Sequence, residues 1–164
     1  MKIPQWLSTT LSFILIGLLL VAYFATHTPP KKNAPATIMQ AELGPVTFDH
    51  ILTIAGTELH VAYANMPAEQ ERGLSGTQSL GEDQGMLFLF PTENTPSFWM
   101  KDMNYPIDMI WVASNKKVVD ITPSVDPSTY PKTFSPKSPA QYVLEMPAGF
   151  AEKNTIEEGT QVSF

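Results

Sequence analysis

Gly85-Met86-Leu87-Phe88-Leu89-Phe90, Ser97-Phe98-Trp99-Met100-Lys101 and Ile107-Asp108-Met109-Ile110-Trp111-Val112 are three apolar, aromatic-rich runs packed into 28 residues and separated by Pro91, by Pro96 and by an Asn104-Tyr105-Pro106 turn. Runs this short, rich in β-formers and bounded by turn residues, predict consecutive buried antiparallel strands. Period-two alternation puts Phe98 and Met100 on one face and Trp99 and Lys101 on the other. In the third run Ile107, Met109 and Trp111 share a face, and Asp108 shares its face with Ile110 and Val112. A core does not need Trp99, Lys101 or Asp108, which makes them the first candidates for function.

Upstream of these runs, Val46, Phe48 and Ile51 to Ile54 lead into an Ala55-Gly56-Thr57 turn. Leu59, Val61 and Tyr63 then alternate with Glu58 and His60, the pattern of a β-hairpin with one face in the core. His60 falls on the wet face and reads as an exposed strand residue, since no second histidine or carboxylate stands at a metal-ligand spacing. Met66 to Leu74 predicts a short helix, with Pro67 at its first position, acids in the first turn, Arg72 in the last and Gly73 to stop it. Ser75 to Gln84 is polar and reads as loop.

Downstream, Ser114 to Lys117 turns into a strand over Val118 to Ile121. Pro123 to Pro139 holds five prolines together with Tyr130 and Phe134, which excludes helix and central strand. A connection of that length in a small domain implies that it covers something, so it is expected to pack across the sheet as a lid. Ala140 to Met146 predicts a strand, with Tyr142 and Leu144 on one face and Val143 and Glu145 on the other. Pro147 opens a short helix through Lys153, and Gly159 precedes a last strand ending at Phe164. The expected architecture is mainly β, a β-rich α+β domain: an antiparallel sandwich or distorted barrel with two short helices, preceded by one transmembrane helix.

The chain has 164 residues, 43% of them hydrophobic, enough for one globular domain and too few for two. Cysteine is absent, which excludes a disulfide framework, a zinc–thiolate site and a thiol nucleophile. Lys2, Lys31 and Lys32 lie before Ile38, so the rest of the chain sets 7 basic residues against all 16 acidic ones, a balance of −9. A domain so acidic repels nucleic acid, and no nucleic-acid partner is expected.

From Leu7 to Ala25 there are nineteen residues without a charge. At about 1.5 Å per residue they reach the roughly 30 Å of a hydrocarbon core. Trp6 and Tyr23 stand near the two ends, where amphipathic rings favour the interface. Residues 1–28 are therefore expected to be a membrane anchor in contact with the lipid bilayer through 7–25, with a signal sequence as the alternative reading. Residues 29–44, with Pro29, Pro30 and Pro35, read as an extended linker. Residues 45–164 form the soluble domain, expected outside the cytoplasm because a very short tail precedes a single export-like segment.

The order of motifs along this soluble part resembles one family. Arg72-Gly73-Leu74, Gly85-Met86-Leu87-Phe88 with Phe90, Phe98-Trp99-Met100-Lys101, Ile107-Asp108, and Tyr142-Val143-Leu144-Glu145 with Gly149 and Gly159 form a linked set similar to that of the domain of unknown function 192 family. The resemblance covers about residues 46–164. It implies a compact β-rich domain, often behind an export signal or membrane anchor, and carries no established activity. The sequence departs from the family at Ser75-Gly76, where members commonly continue with Met and a second Arg.

A carboxyl group among aliphatics costs several kcal/mol unless paired, so Asp108 requires a partner. One reading has Asp108 pinning the Asp102 to Pro106 turn, since side-chain caps of turns are common. The other brings Arg72 or Lys101, Asp108 and Glu145 together beneath Trp99. An aromatic floor with a few charged groups would suit a small polar or glycan-like ligand or a cell-envelope partner protein. The ligand-binding candidates are thus Arg72, Trp99, Lys101, Asp108 and Glu145. As an alternative, Asp108 and Glu145 could act as the acid/base pair of a hydrolase. A third reading takes Met66, Met86, Met100, Met103, Met109 and Met146 as thioether donors to Cu(I), although methionine in an apolar run more simply fills core. No nucleophile elbow, zinc motif or phosphate-cradling loop occurs, and neither a cofactor nor a metal site is assigned.

Overall fold

The computed structural model describes residues 43–164. Its first elements are the expected hairpin, β1 (His50–Ile54) and β2 (Thr57–Ala64). They join through Ala55 and Gly56, whose φ values of 49° and 79° are those of a tight primed turn that matches the strand twist. After β2 comes α1 (Pro67–Arg72). The Glu69 carboxyl reaches back to the amides of Asn65 and Met66, both at 3.0 Å, and caps the first turn. Gly73 closes the helix at φ 51°.

The chain then enters β3 (Gln84–Asn94), the short β4 (Phe98–Trp99), β5 (Ile107–Val112) and β6 (Val118–Val125). A 3-10 turn (Pro127–Thr129) precedes β7 (Thr133–Phe134), which pairs only with β4. β8 (Ala140–Pro147), α2 (Phe150–Lys153) and β9 (Val162–Ser163) complete the chain.

Seven strands form one curled mixed sheet, a half-barrel, in the order β6-β5-β8-β3-β2-β1-β9. Two expectations are corrected here. The three central runs are not neighbours, because β8 lies between β3 and β5 and is antiparallel to both, while β4 leaves the sheet to pair with β7. The sheet is also not purely antiparallel, since β2 and β3 run parallel. The physical reason is the connection: the stretch between them carries α1, and a helical crossover returns a strand in the same direction. At the sheet's rim, a bridge between Lys117 and Gln161 and the bond from Val118 N to Thr160 O (3.0 Å) lace the 159–162 segment back to the start of β6. Curling follows from that tie together with strand twist.

Both faces of the sheet are buried. One carries Leu52, Leu59, Val61, Leu87, Ile110 and Leu144, closed by Phe150 and Ala151 of α2 and by Ile156 and Val162. The other carries Ala62, Met86, Phe88, Met109, Trp111 and Val143, closed by Leu74 and Met100 and by Phe98 and Phe134 of the β4–β7 ribbon. Phe134 of the proline-rich segment therefore packs over the second face, as expected, whereas Tyr130 stays 45% exposed beside Trp99. Pro123 sits in β6, an edge strand, where a missing amide is tolerated. Among the described residues no helix is long and apolar enough to cross a membrane. The 7–25 segment falls outside the described residues, as do the rest of 1–28 and nearly all of the 29–44 linker.

Candidate functional site

Alternation along β5 and β8 decides where the acidic candidates go. Asp108 shares the face of Ile110 and Val112, with α2 packed upon it; Glu145 shares the face of Val143, Phe88 and Trp111. The two carboxyl groups lie on opposite faces of the sheet, so the acid/base pair considered from sequence does not exist.

Asp108 is fully buried and fully engaged. Its Oδ1 accepts from the amides of Ser124 (2.7 Å) and Gly149 (3.1 Å), and its Oδ2 from Ala151 N (2.8 Å). It thereby fastens β6 and the first turn of α2 to the middle of the sheet. The Asp102 to Pro106 turn is held by other groups: Ser75 Oγ donates to Lys101 O (2.8 Å), Gly76 N to Asp102 O (2.8 Å) and Asn104 Nδ2 to Thr77 O (2.8 Å). Sequence reasoning expected a local cap, but the pleat turns Asp108 away from that turn.

Glu145 behaves differently. It is 4% exposed, accepts no hydrogen bond from the described residues, and its carboxyl is pushed up to about 8 by burial. At neutral pH it is therefore mostly a neutral acid with a proton to donate. It opens into a cleft of about 380 Å³ that also takes in Arg72, Gly73 and Ser75, the rings of Phe88, Phe90 and Phe98, and Trp99. Phe98 meets Phe88 edge-on at 4.7 Å and Trp111 at 5.5 Å, which makes the aromatic wall rigid.

Arg72 ends α1 at the side of this cleft. Its Nη1 donates to Gly44 O at 2.6 Å, while its Nε is buried and has no partner among the described residues. Trp99, 45% exposed, stands at the mouth with Tyr130 packed edge-on at 6.3 Å. The Lys101 ammonium lies 6.0 Å from the Trp99 ring centroid, outside the cleft lining. Tyr105, whose hydroxyl bonds that of Thr77, is raised above the usual phenol value by burial and by the nearby Glu145 charge, against the pull of the Thr77 bond.

Of the five candidates, then, Arg72, Trp99 and Glu145 converge, Lys101 borders them and Asp108 is elsewhere. Phe88 and Phe90 as cleft walls are readable in retrospect, because alternation puts both on the Glu145 side. The Gly44 carbonyl carried no sequence signal. The methionines do not form a common site here: Met86, Met100, Met109 and Met146 are buried core residues, Met66 is exposed and Met103 lines the cleft.

Residues 50–164 match the model of the DUF192 family, described as uncharacterized ACR. The chain belongs to this family. The DUF192 domain is 31% identical over 107 residues to a UPF0127 protein of Thermococcus gammatolerans, a match covering 64% of this chain and 66% of that protein. It is 32% identical over 84 residues to one from Thermococcus kodakarensis, covering 50% and 51%. The chain thus spans about half to just under two thirds of the length of these relatives. The crystal structure of a Novosphingobium aromaticivorans protein of unknown function superposes with a TM-score of 0.66 at 29% identity, over 70% of this chain and 84% of that one. A Sinorhizobium meliloti protein, provisionally assigned as a transcription regulator, gives 0.67 at 27% identity, over 73% and 97%.

Proposed function

We propose that the DUF192 domain of this chain is a ligand-binding module, held outside the cytoplasm by the 7–25 anchor, that takes a small polar molecule into the Arg72–Trp99–Glu145 cleft. The observation that carries this reading is Glu145: a carboxyl 4% exposed and with no hydrogen bond from the described residues, in a position where apolar residues would cost less. Arg72, whose guanidinium is always charged, borders the same cleft. The cleft volume of about 380 Å³ lies in the range of small-molecule sites, and its mixture of aromatic walls with a few polar groups is typical of them. The acidity of residues 38–164 argues against nucleic acid as the ligand.

Ligand titration of the full-length chain in lipid nanodiscs, followed by tryptophan fluorescence, tests the cleft. A small molecule that binds the parent chain and not Ser97→Trp, which fills the mouth, is the expected outcome. Binding that survives Ser97→Trp unchanged would place the site elsewhere. For the location, alkaline phosphatase fused after Phe164 should be active in intact cells; an inactive but stably produced fusion would end the extracytoplasmic reading.

A further inference from the structure

Among the described residues four large hydrophobic side chains stand exposed, and two of them, Trp99 and Tyr130, pack on each other edge-on at 6.3 Å. Their presentation is built into the fold. Phe98 is packed edge-on against both Phe88 and Trp111, which fixes the β4–β7 ribbon, and alternation turns the next residue, Trp99, to the other side. The indole is thereby held half-exposed in the lining of the cleft, an apolar ring kept in water with no core to fill.

The polar groups lining the same cleft define what that ring would take. Among the described residues the Ser97 hydroxyl has no partner, Asn94 spends Nδ2 on Thr92 O (3.1 Å) and leaves Oδ1 open, and Glu71 is an exposed carboxylate without an ion pair. Asn94 Oδ1 and the Glu71 carboxylate only accept, so the ligand has to bring donors. A proline-rich peptide also docks on exposed aromatic rings, but each proline lacks an N–H and leaves mainly carbonyls to offer. An organic anion would face Glu71, and an organic cation would meet the Lys101 ammonium, already 6.0 Å from the Trp99 ring centroid. A neutral pyranose meets every condition. Its hydroxyls both donate and accept, and its face of C–H groups, polarised by the adjacent oxygens, packs on the electron-rich face of an indole. A cleft of about 380 Å³ is large enough for a small sugar.

Resting on the cleft reading above, we infer that the ligand is a neutral glycan, one of whose pyranose rings stacks on the Trp99 indole beside Tyr130 while its hydroxyls reach Asn94, Ser97 and Glu71. The stacked ring supplies most of the affinity, and the polar groups fix its orientation.

The test is calorimetric titration of the full-length chain in nanodiscs at pH 7 with cellobiose, maltose and di-N-acetylchitobiose, against a polyproline peptide and choline as comparators. At least one disaccharide should bind. Trp99→Ala should weaken that binding about tenfold, and Trp99→Phe, which keeps a smaller ring, and Asn94→Ala by about threefold each. Failure of all three sugars to bind overturns the inference, and a comparator that binds instead and is blocked by Ser97→Trp leaves the cleft reading standing. A sugar bound as tightly by Trp99→Ala as by the parent chain also overturns it. A sugar bound with the parent's affinity by both Trp99→Ala and Ser97→Trp removes both readings together.

Discussion

Asp108 and Glu145 sit on neighbouring strands, within one residue of the same register, and face opposite sides of the sheet. Both are buried acids in aliphatic and aromatic surroundings. One receives three backbone amides and clamps an edge strand and a helix to the sheet's centre; the other receives none from the described residues and borders a cleft. Burial alone therefore says little about what an acidic residue does. Its partners decide: a saturated carboxyl is a piece of architecture, and one without partners is costly to bury in its charged form.

The sharpest way to break this contrast is Asp108→Ala. It orphans the amides of Ser124, Gly149 and Ala151, and at about 1–3 kcal/mol for each unsatisfied buried group it should cost roughly 4 kcal/mol in urea denaturation. A loss below about 1 kcal/mol would show that Asp108 is not a clamp.

Next in size is the pH dependence contributed by Glu145. Its folded-state value of about 8 lies above the ordinary 4.5, so between these values the native state holds a proton that the unfolded state has released. The contribution is fully present below pH about 4.5 and is lost as pH rises through about 8, at about 1.4 kcal/mol per pH unit. From pH 5 to 7 that is about 3 kcal/mol, and Glu145→Gln should remove this part of the slope while Asp108→Asn leaves it in place. Equal slopes in the parent and Glu145→Gln would mean that Glu145 is not the buried neutral acid described.

Gly85→Ala probes the strand contact that keeps Glu145 in place. A Cβ there would stand 2.3 Å from Met146 Sδ and 2.6 Å from the Glu145 carbonyl oxygen. The sulfur can move and the backbone cannot, so β3 and β8 must separate, at about 2 kcal/mol; a neutral substitution would mean that the two strands lie farther apart. The smallest expected effect on stability is that of Trp99→Ala, within about 0.5 kcal/mol because the ring is half exposed. Its effect on ligand titration should be larger, about tenfold, and an undiminished affinity would remove Trp99 from the site.

Local chemistry made much of this legible in the sequence. Ala55-Gly56 between alternating runs specified the hairpin, Pro67 and Gly73 bounded α1, and the prolines from 123 to 139 kept that stretch out of the sheet's centre, leaving it the end of edge strand β6, a 3-10 turn and the short β7. What escaped was non-local. Nothing in Gly85 to Phe90 or Ile107 to Val112 says that a strand from residues 140–147 will come between them, because pairing partners are chosen by the whole fold. The parallel pairing of β2 with β3 was hidden for the same reason. In the site, alternation correctly separated the faces within each strand and put Asp108 with Ile110 and Glu145 with Val143. Which faces of different strands coincide depends on register across the sheet, and there the grouping of Asp108 with Glu145 failed.

The position of β8 also has a consequence in time. β8 pairs with both β3 and β5 and follows both in the sequence, so their facing edges stay open until it is made. Until then each is an unpaired edge of the kind that invites strand addition from another chain.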